Sequence, residues 1–189
     1  MLSFEIGKIT IDFMPLVSFF VIAIPVMLIS YLLKKNQARS MINYCCSGEY
    51  EKSLAIADKL LNYHSTGYKI FRFKKVKSNI DIILLWRAIS YLGLSRYDDF
   101  FDCIDKIETK KNYAYGWMGI YYVIKRDVEQ VKICIEKIEP DDDLTKTVNL
   151  LNGFVLCLDD KMDEGAAILN NIDTKYALIK QLISDFTKQ

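Results

Sequence analysis

The sequence predicts an all-α protein: a single N-terminal transmembrane helix, then an α-solenoid of about four helical hairpins and a C-terminal capping helix. Three observations lead there. Residues 13–33 carry no charge, and four later segments share one apolar pattern. Only 8 Gly and 3 Pro among 189 residues, with 51% of the chain hydrophobic, argue against both disorder and a turn-rich β fold.

The first element is the uncharged run from Phe13 to Leu33, FMPLVSFFVIAIPVMLISYLL. At ~1.5 Å per residue such a helix is about 31 Å long, close to the ~30 Å hydrocarbon core of a bilayer. Pro15 falls in the first turn, where a missing N–H costs little, and Pro25 is expected to kink the span. A cleaved signal peptide fits less well. The apolar run is too long, Glu5 and Asp12 precede it beside Lys8, and no small-residue cleavage site follows it. Lys34, Lys35 and Arg39 after the run, against one Lys before it, place the C-terminal side in the cytoplasm. The five cysteines all follow the run, and their odd number suits a reducing compartment. The expected organisation is a short extracytoplasmic N-terminus (1–12), a transmembrane helix (13–33) and a cytoplasmic helical-repeat domain (34–189), single-pass in the cell membrane.

The next elements repeat. Four segments align: YEKSLAIADKLL from Tyr50, YDDFFDCIDKIE from Tyr97, VEQVKICIEKIE from Val128 and MDEGAAILNNID from Met162, at offsets of 47, 31 and 34 residues. Apolar or small residues recur in each at spacings of three and four, as on one face of a helix. Each is preceded by a second helical stretch: KNQARSMINYCC, DIILLWRAISYLG, YAYGWMGIYYVI and TKTVNLLNGFVLCL. Residues 36–173 thereby resemble the tetratricopeptide repeat family, whose helix pairs recur about every 34 residues. Late in the first helix the family places a small residue. Here the position holds Met41, Ala88, Gly119 and Gly153, so the first pair departs from the pattern and is expected to pack differently. Three residues later stand Tyr44, Tyr91, Tyr122 and Leu156. A turn into an aromatic follows at Gly48-Glu49-Tyr50 and at Ser95-Arg96-Tyr97, less clearly in the last two pairs, and Pro140 supplies the one closing proline.

The tail from Thr174 reads as a capping helix, with Thr174 a candidate N-cap and Tyr176, Ile179, Ile183 and Phe186 along one face. A dimerisation or partner helix is the sharper alternative.

Chemistry is poorly represented. The single His64 excludes any two-histidine mechanism, and no nucleophile elbow, glycine-rich phosphate loop or metal spacing occurs. Glu139-Pro140-Asp141-Asp142-Asp143 lacks the spaced oxygens and central glycine of a calcium loop and reads as a turn ahead of a helix. The expectation is a non-enzyme with no cofactor and no metal. A net charge of +1 argues against general nucleic-acid binding.

Partner binding is the remaining class. The resemblance implies a concave surface lined by first helices, where Ile82, Leu85, Ile89, Leu92, Tyr113, Ile120, Val123, Leu150 and Phe154 are the candidate contacts. The Lys/Asn clamps with which some members of that family hold a terminal carboxylate are missing at those positions. An apolar groove suits an amphipathic helix, although the C-terminal helix of the chain itself could equally fill it. A second feature is the basic insertion 67–78, which carries five positive charges and no acid among Tyr68, Phe71 and Phe73. Lys69, Arg72, Lys74, Lys75 and Lys77, with Lys34, Lys35 and Arg39, are candidate lipid-headgroup contacts; a solvated loop between repeats is the alternative. The expected function is a membrane-anchored protein-interaction adaptor that recruits a protein partner to the inner membrane face. The alternative is a structural subunit of a larger membrane complex, of the secretion, transport or toxin-immunity type, in which the transmembrane helix is part of the interface.

Overall fold

The computed structural model describes the backbone of residues 3–6, 9–12, 14–71, 74–141 and 144–188, and the side chains of residues 30, 32–64, 77–141 and 144–188. The chain divides into two units, 1–39 and 40–189. The first holds an antiparallel pair, β1 (Ser3–Ile6) and β2 (Ile9–Asp12), with Phe4 in register with Ile11 and Ile6 with Ile9 along the backbone. The helices that follow are α1 (Met14–Ser47), α2 (Tyr50–Phe71), α3 (Lys74–Gly93), α4 (Tyr97–Asp105), α5 (Lys111–Lys125), α6 (Val128–Glu136), α7 (Thr145–Leu158), α8 (Met162–Leu169) and α9 (Ala177–Thr187).

One expectation is corrected at the N-terminal side. Among the described residues no helix is long and apolar enough to cross a membrane, and the helical architecture from Met14 onward is preceded by the β pair rather than being all-α throughout. The apolar run does not form an element of its own. It enters α1, which continues unbroken through Lys34, Lys35 and Arg39 to Ser47. The side chains of 13–29 themselves lie outside the described residues. Along the basic stretch 67–78, α2 continues to Phe71 and α3 begins at Lys74.

Within the unit from Ser40 onward, the expected hairpins are present: the end of α1 with α2, α3 with α4, α5 with α6, and α7 with α8. All four turns use one device. Each places a residue in the left-handed region: Gly48 (φ 86°), Ser95 (φ 59°), Arg126 (φ 57°) and Asp160 (φ 62°). The next residue then donates its N–H to the carbonyl five positions back. These bonds run from Glu49 to Tyr44 (2.8 Å), Arg96 to Tyr91 (2.9 Å), Asp127 to Tyr122 (3.0 Å) and Lys161 to Leu156 (2.9 Å). Such a bond satisfies a helix-end carbonyl that has no partner within the helix. The four acceptors are the residues that the sequence alignment puts in one column. The second helix restarts equally uniformly, with Ser53, Phe100, Val131 and Gly165 donating to Glu49, Arg96, Asp127 and Lys161 at 3.0–3.1 Å.

Neighbouring hairpins stack in chain order, α2 on α3, α3 on α5 and α5 on α7. The core between them is formed by Phe100, Val123, Val131, Leu151 and Phe154, all fully buried. Each such side chain contributes about 1.5–3 kcal/mol relative to exposure. Close helix crossing shows at Gly165, where a Cβ would stand 2.7 Å from the Gly153 carbonyl oxygen and 2.4 Å from the Cys157 sulfur. The first hairpin solves its crossing differently. Met41 is buried, and the small residue stands opposite it on α2: Ser90 donates to Ser53 (3.0 Å), and Ser53 donates to the Met41 carbonyl (3.1 Å). The link from α4 to α5 is tied to α3 by buried Asp81. Its Oδ2 accepts from Glu108 N (3.2 Å), Thr109 N (2.6 Å) and Thr109 Oγ1 (2.6 Å).

Candidate interaction surface

The surface of interest forms where α3, α5 and α7 meet the C-terminal segment. Trp86 on α3 and Trp117 on α5 stand two residues before Ala88 and Gly119, so both occupy the same position of the repeat. Tyr176 lies between them, stacked on Trp86 (centroids 5.9 Å, planes at 27°) and edge-on to Trp117 (5.0 Å, 78°). At the other end of α9, Phe186 meets Phe154 of α7 edge-on (5.1 Å, 64°). Such aromatic pairs contribute ~0.5–1.5 kcal/mol beyond their buried area.

Cations flank both ends. Lys175 lies 5.9 Å from the Trp86 ring and 5.8 Å from that of Tyr176, and the Arg126 guanidinium lies 5.7 Å from Phe186. The start of α9 reaches the first hairpin. A Cβ on Gly48 would lie 3.5 Å from that of Ala177, and the backbone of Leu178 hydrogen-bonds the Tyr50 phenol. One segment of about a dozen residues thus touches all four hairpins, the last through Phe186 on Phe154 and through α8.

Thr174 is not the N-cap. That position is Tyr176, and the Thr174 hydroxyl accepts from Tyr176 N at 3.3 Å. Burial beside Cys46, Cys45 and Tyr113 pushes the Tyr176 phenol up to about 12. Burial also pushes the thiols up, Cys45 to about 12 and Cys134 to about 11, with Cys46, Cys103 and Cys157 raised as well. Thiols held protonated in this way are poor nucleophiles. All five cysteines are free.

The residues expected to line a partner groove divide as follows. Leu85, Ile89, Leu92, Ile120, Val123, Leu150 and Phe154 are buried, Tyr113 is half-buried with Lys110 5.7 Å from its ring, and Ile82 is exposed. Seven of the nine are therefore core residues in this state, and the apolar face they belong to is covered. The tryptophans that hold Tyr176 were not among the expected contacts. Their shared repeat position was the available signal.

Four of the eight expected headgroup contacts have described side chains. Lys35 and Arg39 are exposed and Lys34 half-buried on α1. Lys77 forms an ion pair with Glu108. The side chains of Lys69, Arg72, Lys74 and Lys75 lie outside the described residues. His64 packs edge-on to Tyr63 at 5.2 Å, and no group of three His, Cys, Asp or Glu that could hold a metal occurs among the described residues. Two clefts among the described residues are open surface grooves. One of about 570 Å³ lies by Asn149, Asn152 and Asn171, and one of about 550 Å³ lies where Cys46 faces Ala177 and Lys180.

No protein-family model matches the chain, and no curated protein or solved structure matches it.

Proposed function

We propose that this protein is a non-enzymatic interaction scaffold of tetratricopeptide-like helical hairpins, and that its recognition surface is the inner face of α3, α5 and α7. One observation carries the reading. A single amphipathic helix, separated from the hairpins by a stretch without regular structure at 172–176, lies on that face through aromatic contacts at both ends. The face is thus shaped to take a helix laid in by its apolar side, one of the recurring modes of peptide recognition. The partner is a protein that offers such a helix.

The test is site-specific photocrosslinking in cells. A photoreactive residue replaces Tyr113 or Ile82 near the inner face, or Glu136 on α6 as a control. The expected result is one protein labelled from both Tyr113 and Ile82 but not from Glu136, with the crosslink mapping to a helical segment. Equal labelling from all three positions, or from none, overturns the reading.

A further inference from the structure

We infer that α9 is a displaceable self-ligand, and that the partner helix which replaces it carries aromatic side chains ten positions apart with aliphatic residues between them. This rests on the scaffold reading above and names the regulation of the same surface.

The pattern is read from α9 itself. Tyr176, Ile179, Ile183 and Phe186 stand at i, i+3, i+7 and i+10, which places them along one side of a helix. Ile179 and Phe186 are buried, and Tyr176 sits between two tryptophans.

Displaceability follows from how poorly α9 is stabilised as a helix on its own. It has 11 residues, a length at which an isolated helix is marginal in water. No side chain caps its N-terminus, and neither an acid in its first turn nor a base in its last complements the helix dipole. Lys180 lies toward the positive end and Asp185 toward the negative end, the reverse of the favourable order. The Leu178 N–H donates to the Tyr50 phenol oxygen on α2, not to a group of α9. The helix therefore exists because the face holds it. Its starting end also borders the open groove at Cys46 and Lys180, where an incoming chain has access. A competing helix must overcome the local concentration of a tethered segment, on the order of millimolar for a short link. The closed state thus lowers apparent affinity in proportion to the small fraction of open chains.

The experiment uses the full chain and a fluorescent peptide of residues 174–189 as the probe. Three forms are compared by fluorescence anisotropy: the wild type, Phe186→Ala, and the pair Gly48→Cys/Ala177→Cys after oxidation. The 3.5 Å Cβ separation of that pair suits a disulfide, and because half-buried Cys46 lines the same groove as Ala177, peptide mapping verifies the 48–177 bond before binding is read. The peptide is expected to bind Phe186→Ala at least ~10-fold more tightly than wild type. It should not bind the oxidised pair, and reduction should restore wild-type binding. Equal binding to all three forms, or no binding to a folded Phe186→Ala chain, overturns the inference. Hydrogen exchange on the wild type decides the matter independently of that variant. Amides of α9 should exchange well before those of α3 and α5, and protection equal to theirs makes α9 a fixed core helix and ends the proposal. If photocrosslinking still captures a helix near the inner face in that case, the scaffold reading survives without this device.

Discussion

Phe186, near the end of α9, meets Phe154 of α7 edge-on with ring centroids 5.1 Å apart, and both side chains are buried. Through this contact the C-terminal helix buries an aromatic ring against α7. Phe186→Ala should lower stability by about 2–4 kcal/mol, toward the lower end of the range for buried phenylalanine because the last turn can relax. The midpoint of thermal unfolding should fall by roughly 5–12 °C. Calorimetry measures this directly, and an unchanged midpoint would mean that α9 adds nothing to the face it covers.

Burial raises the Tyr176 phenol to about 12, whereas a tyrosine in an unfolded chain titrates near ~10. The folded group is thus the weaker acid. Its contribution is complete below about pH 10 and is lost as pH rises toward about 12. Compared with Tyr176→Phe, which cannot ionise, the wild type should lose stability progressively across that window. Urea unfolding of both proteins at pH 9, 10.5 and 11.5 isolates the effect from the other buried phenols and thiols. Parallel stabilities throughout would show that Tyr176 ionises freely in the folded protein.

Asp81 satisfies two backbone N–H groups and a hydroxyl in the link between α4 and α5. Asp81→Ala should cost about 2–4 kcal/mol, because it leaves donors facing an apolar hole. Asp81→Asn keeps one acceptor oxygen and should cost less. Chemical denaturation ranks the two. If alanine proves no worse than asparagine, the link does not depend on this acceptor.

The turns make a prediction of opposite signs. Gly48→Ala puts a Cβ at φ 86° and should destabilise by about 1 kcal/mol. Ser95→Gly and Asp160→Gly relieve the same strain at φ 59° and 62° and should be neutral or stabilising by a few tenths of a kcal/mol. A set of melting curves checks all three, and destabilisation by every one would argue that side-chain contacts, not backbone strain, govern these turns.

The hairpins were legible in the sequence because they are local. Tyr44, Tyr91, Tyr122 and Leu156 fell into one column by spacing, and each accepts the bond that closes its turn. Met41 was legible only as an exception. Its explanation lies on α2 at Ser53, and a pattern read along one helix does not show what the facing helix offers. The inner face was half legible. Apolar spacing marks Ile89, Leu92 and Phe154 as facing inward, but the same spacing describes an open groove and a filled one, and only the fold places Tyr176 and Phe186 there. The expected N-terminal span is not carried by the structure, since no helix among the described residues is long and apolar enough to cross a membrane. Asp81 left no trace in the pattern, since one acid among apolar neighbours does not announce which loop it will hold.

The crossing of α9 over hairpins made long before it has a consequence during synthesis. Repeats whose contacts are all between neighbours can settle one after another as the chain emerges, N-terminal part first. Here Trp86 and Trp117 acquire their aromatic partner only when Tyr176 has been added, and Phe154 meets Phe186 only later still. Until then the nascent chain presents a wet aromatic surface that grows with each hairpin, the kind of surface on which chaperones act and aggregation begins.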